Sequence, residues 1–159
     1  MKRILLPSVL AVVAAVTAAC DKSGDGEADA GAPTVARVEA VGVQVELPGG
    51  WSYKERHGAH WVNRSLAYGA MLEKVDAMPA SLADAKKTWM EGKVVDEGER
   101  AGDFFAVVDV EFGGKDSMVL PMVYFIAPIG DAAVQCSGQL QPGDDPKPLL
   151  DVCASMKAL

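Results

Sequence analysis

The chain has 159 residues, 15 basic against 22 acidic, and a formal charge of −7 at pH 7. That length allows one modest domain. The acidic balance lacks the basic patches that nucleic acids and anionic lipid surfaces require, so no nucleic-acid partner is expected.

The first predicted element is an export signal. Lys2 and Arg3 precede an uncharged run from Ile4 to Ala19, and small residues lead into Cys20. A charged n-region, an apolar h-region and a small-residue cut site make a secretory signal peptide. With cysteine at the cut, Thr17-Ala18-Ala19-Cys20 resembles the lipobox of bacterial lipoproteins, departing from it at Thr17, where leucine is usual. The resemblance implies cleavage before Cys20 and fatty acids on its sulfur and amine. The chain would then be anchored in a bilayer of the bacterial envelope, with its domain in the periplasm or at the cell surface. Asp21 resembles an inner-membrane retention signal of some bacteria, and inner or outer membrane stays open. Two other readings are an ordinary secreted protein cut elsewhere and a retained membrane helix. The second needs roughly 20 apolar residues, more than this run supplies.

Residues 1–19 are thus read as signal peptide, 20–37 as acylated cysteine and linker, and 38–159 as a single α/β domain. Cleavage removes Lys2 and Arg3 and takes the charge to about −9. The stretch 21–36, DKSGDGEADAGAPTVA, has no large side chain to bury and is expected to be disordered. As a coil it would reach roughly 20–25 Å.

From Val38 the pattern changes. Val41, Val43, Val45 and Leu47 alternate with polar or small residues, the two-residue period of a half-buried strand, ended by Pro48-Gly49-Gly50. Further strands are predicted around His60–Arg64 and over Tyr68–Val75. Ser81 then caps a helix of about ten residues, with Asp84 completing a capping-box-like pair and Gly92 as C-terminal cap. Its buried face carries Leu82, Ala85 and Trp89. In Phe104–Phe112 alternate apolar residues share one face. Gly113-Gly114 signals a hairpin into Met118–Ala127, so apolar that it reads as central, although Pro121 argues for an edge. Ala132–Leu140 is the last predicted strand. Leu149, Val152, Cys153 and Met156 mark the apolar stripe of a C-terminal helix.

With Cys20 spent on lipid, Cys136 and Cys153 remain, an even pair in an oxidising compartment. Strand alternation puts Cys136 inward and the helix stripe puts Cys153 inward, with a tight polar turn between them. A disulfide joining the last helix to the last strand is the expected result.

Chemistry-bearing patterns are sparse. His57 and His60 could hold a metal with a nearby carboxylate, but Gly58 breaks a helix between them and a strand puts them on opposite faces, so a polar hairpin loop is the better reading. No G-x-S-x-G occurs, and neither Gly49-Gly50 nor Gly113-Gly114 opens a helix as a phosphate cradle would. No enzyme activity, metal or cofactor is expected. Trp51, Tyr53, Trp61 and Tyr68 gather near the first hairpin, either as core or as an aromatic recognition surface.

The order of elements resembles the PsbP-like α/β/α sandwich, found in an extrinsic photosystem II subunit, a Ran-binding nuclear import factor and many bacterial lipoproteins. Val43–Trp51, Ser81–Trp89 and Cys153-Ala154-Ser155-Met156 carry the likeness. It implies an α+β fold, an antiparallel sheet of about six strands flanked by helices, and a mostly non-catalytic role in assembly, stabilisation or binding. No family site motif transfers to this chain. The expected function is a membrane-anchored envelope module that binds or stabilises a partner protein. The alternative is a small-molecule carrier using a cleft between sheet and helix.

Overall fold

The computed structural model describes residues 31–100, 102–113 and 117–159. The export signal, Cys20 and the linker up to residue 30 lie outside them, as does Gly114. Ten strands and two helices follow in order: β1 Thr34–Val38, β2 Val43–Leu47, β3 Ser52–Arg56, β4 Ala59–Ser65 and β5 Tyr68–Val75, then α1 Leu82–Lys86. The second half holds β6 Lys93–Arg100, β7 Asp103–Phe112, β8 Met118–Ile129, β9 Ala132–Gln139, α2 Lys147–Ala154 and β10 Lys157–Ala158.

These strands form two antiparallel sheets, a large one in the order β3-β4-β5-β9-β8-β7-β6 and a small one in the order β1-β2-β10. The expected helix-flanked sheet of about six strands, and with it the PsbP-like sandwich, is therefore incorrect. The layer on the inner face of the large sheet is mainly the small sheet, with α2 beside it. Of the helices, α1 has 5 residues and α2 has 8, too short to cover a seven-stranded sheet. The fold is mostly β. The folded part also begins earlier than the expected boundary at residue 38, because Thr34–Val38 pairs along its whole length with β2.

Why the large sheet has two covered faces is legible in β7 and β8. Phe105, Val107, Val123, Phe125 and Ala127 point into the main core, where Val43, Val45 and Leu47 of the small sheet and Leu149, Val152 and Cys153 of α2 meet them. Phe104, Ala106, Val108, Val110, Tyr124 and Ile126 point the other way, into a second core closed by Ala85 and Trp89. Strands buried on both faces read as continuous apolar runs. Trp89 stacks on Tyr124 with ring centroids 5.2 Å apart and donates its indole N–H to Gln135 Oε1 at 3.1 Å.

Pro121 sits in this interior strand without breaking it. Its carbonyl accepts from the Leu140 N–H at 2.8 Å, so its backbone polar groups face β9, not β7. An antiparallel residue turns both groups to the same neighbour. Met122 pairs with Gln139, the last residue of β9, so the absent N–H falls just past the end of that ladder and costs no strand hydrogen bond.

Ser81 caps α1 as expected: its Oγ accepts from the Asp84 N–H at 3.2 Å and donates to the Asp84 carboxylate at 2.8 Å. Hydrogen bonds from Lys87 and from this serine hold the Asp84 carboxyl below the usual carboxylate range. The helix stops at Lys86, however, and Gly92 is not its cap. A Cβ at Gly92 would lie 2.4 Å from the Asp109 carbonyl, so this glycine permits close passage of the chain over β7. Cys136 and Cys153 are bonded, with α-carbons 5.7 Å apart, and this bridge pins α2 to β9.

Candidate functional site

The outer face of the large sheet is covered over β7, β8 and β9 by α1 and the Trp89 segment. Over β3, β4 and β5 it is not. Alternation decides which side chains appear there. Val62, Ala70 and Leu72 point into the main core, so Trp61, Asn63, Gly69 and Met71 point outward. Register then sets neighbours: Lys54 lies opposite Trp61, Trp61 opposite Met71, Arg56 opposite Ala59, and Asn63 opposite Gly69. Because Ala59 and Gly69 are small, a hollow of about 380 Å³ is left beside the indole. Lys54 and Arg56 form one wall, and Leu66 of the β4–β5 turn stands at its rim. Trp61 is 38% exposed and Leu66 85% exposed, unlike the other two tryptophans, which are buried.

The expected aromatic group is only partly brought together. Trp51 is buried and meets the ring of Tyr68 edge-on, with centroids 5.6 Å apart. Tyr68 donates its hydroxyl to the Asp145 carbonyl at 2.6 Å, tying the start of β5 to the turn before α2. Burial raises the Tyr68 phenol, opposed by a backbone hydrogen bond from Leu149. Tyr53 stacks on His60 and shares a hydrogen bond with its Nδ1 at 2.9 Å. Burial, then the Glu55 charge, raises the Tyr53 phenol too. These three aromatics lie on the core side of the sheet. Trp61 faces the opposite way, so the four do not make one surface.

His57 and Gly58 form the two-residue β3–β4 turn, with φ of 52° and 77°. Both central residues at positive φ give the turn whose twist suits a hairpin. His60 is buried on β4 and engaged by Tyr53, while His57 is exposed in the turn. Among the described residues no three His, Cys, Asp or Glu side chains lie grouped as metal ligands. Leu149, Val152 and Cys153 pack the space under α2. Beside Ala85 and Trp89 a second hollow of about 400 Å³ remains between α1 and the sheet, lined by Lys86, Met90, Val94 and Val108. Sequence reasoning missed Lys54 and Arg56, whose signal was their two-residue spacing on a strand that had not been recognised.

No protein-family model matches the chain, and a search of curated proteins finds no match. Among solved structures, a crystal structure from Bacteroides thetaiotaomicron VPI-5482 is similar to it with a TM-score of 0.51 and 15% identity. The match covers 82% of this chain and 49% of the other, so this chain spans about half the length of its neighbour. At that identity the likeness concerns the fold alone.

Proposed function

We propose that the protein is a lipid-anchored module of the bacterial envelope that binds or stabilises a partner and catalyses no reaction. The lipobox resemblance at Thr17–Cys20 supports the anchor. One observation carries the binding role: the stretch of the large sheet's outer face over β3, β4 and β5, which α1 and Trp89 leave open, presents an exposed tryptophan between small residues and cations. Tryptophan and arginine supply much of the energy at interfaces, tryptophan through its large flat area and arginine through its planar fork. The alternative, a small-molecule carrier, would use the hollow of about 400 Å³ between α1, Trp89 and β7.

Capture from detergent-solubilised envelopes tests this role. Trp61→Glu should weaken partner capture by about thirty-fold, corresponding to about 2 kcal/mol for a central tryptophan. Val119→Glu, at an exposed position of β8, should leave capture unchanged. Equal capture by both variants, or no specific capture by the wild type, would count against it.

A further inference from the structure

We infer that the hollow beside Trp61 binds a ring that bears a carboxylate, the ring lying on the indole and the carboxylate between Lys54 and Arg56. This rests on the reading of the β3–β5 face as a recognition surface and adds the chemistry that the surface takes.

The hollow comes first. Along β4 the outward positions run Ala59, Trp61, Asn63, and the residue opposite Asn63 is Gly69. The space is therefore bounded by one large flat side chain and two small residues. Its volume, about 380 Å³, lies within the range of small-ligand sites, roughly 300–1,000 Å³. Glycine at 69 is required in any case, because a Cβ there would lie 2.6 Å from the Val62 carbonyl.

Charge comes second. The lining holds Lys54, Arg56, His57 and no carboxylate, in a chain with 22 acidic residues. Four of the other described lysines are matched, Lys86 with Glu97, Lys87 with Asp84, Lys147 with Asp151 and Lys157 with Glu46, while Lys74 and Lys93 are not. Among the described residues neither Lys54 nor Arg56 has a carboxylate within 4.0 Å. Glu55, between them in sequence, alternates to the other face of β3, and Glu73 lies two residues past Met71 on β5, outside the lining. An arginine fork beside a lysine point charge matches the two oxygens of a carboxylate.

The indole comes third. A tryptophan face is electron-rich and attracts the C–H bonds of a ring laid across it, whether a sugar or an aromatic. Asn63 closes the far end of the hollow, its side-chain N–H donating to the Ser65 carbonyl at 2.9 Å. The strand N–H groups beneath are engaged in the ladders, so an anion here is held by side-chain cations rather than by a backbone nest.

The test is an NMR titration of the tryptophan indole N–H signals in the full chain in detergent, with Trp61→Phe assigning the Trp61 signal. The probes are galacturonate and benzoate, each paired with a neutral counterpart, galactose and benzyl alcohol. At least one acid should shift the Trp61 signal saturably while the signals of Trp51 and Trp89 stay in place. The neutral partner, and the acid on a Lys54→Gln/Arg56→Gln variant, should each bind about tenfold more weakly. Galacturonate alone would point to a saccharide acid, benzoate alone to an aromatic acid, and both to their shared chemistry. No Trp61 shift with either acid up to about 10 mM, a limit near 3 kcal/mol of binding energy, would overturn the inference. Neutral probes binding as well as acids, or an unaffected double variant, would also overturn it. Acid binding without partner capture would leave this site standing and remove the role proposed above; capture without acid binding would do the reverse.

Discussion

Replacing Cys136 and Cys153 together by alanine is expected to lower stability by about 3 kcal/mol and the melting temperature by roughly 10 °C. The two cysteines are 17 positions apart, and the loop they close includes the turn before α2 and most of that helix. Closing such a loop removes conformations mainly from the unfolded chain. The folded side contributes as well. Both sulfurs are buried, and α2, with 8 residues, is too short to persist without its packing. Leu149 and Val152 would lose the bond that presses them onto β9 and β8. Melting curves with and without reductant, beside thiol counting on the unfolded chain, check this. An unchanged melt with two free thiols in the unreduced mature protein would contradict it.

Cys20→Ser is expected to abolish labelling by alkynyl palmitate and to leave uncut precursor in the membrane. Acyl chains stabilise membrane attachment by about 0.8 kcal/mol per buried methylene, so two or three chains make a stable anchor where one would not. The effect is all-or-none because the sulfur is the attachment point of the lipid. Intact mass of the wild type should correspond to a chain beginning at Cys20 plus its acyl groups. A serine variant processed and labelled like the wild type would refute the lipobox reading.

The parts of the fold that were legible are the strands with a buried face. β2, β4, β5, β7, β8 and β9 each carry apolar residues at alternate positions or continuously, and each was expected close to its observed range. The unrecognised strands are β1, β3, β6 and β10, and all four are edges of their sheets. Ser-Tyr-Lys-Glu-Arg in β3 and Lys-Val-Val-Asp-Glu-Gly-Glu-Arg in β6 show no clean two-residue period. Backbone pairing to a neighbour holds such strands, and backbone leaves no mark in side-chain pattern. Charged side chains on them also discourage pairing with other molecules. The helix expected through Trp89 was over-read for a related reason. Burial of that tryptophan against Tyr124 produces the same spacing signal as a helical stripe, yet the chain has already left the helix. The Cys136–Cys153 pairing was legible because each residue sat on a clear apolar face. The candidate site was half legible: Trp61 could be placed on one face of β4, but alternation cannot say which face of a sheet another layer will cover.

On the proposed reading, this protein meets its partner through the β3–β5 outer face. A photo-crosslinking amino acid placed in living cells at Leu66, the exposed rim of the hollow, checks this, with Val119, 48% exposed on β8, as the comparison. Position 66 should give one discrete crosslinked product that disappears when Trp61→Glu is added, and position 119 should give no such product. The same products from both positions, or a specific product from 119 alone, would contradict it.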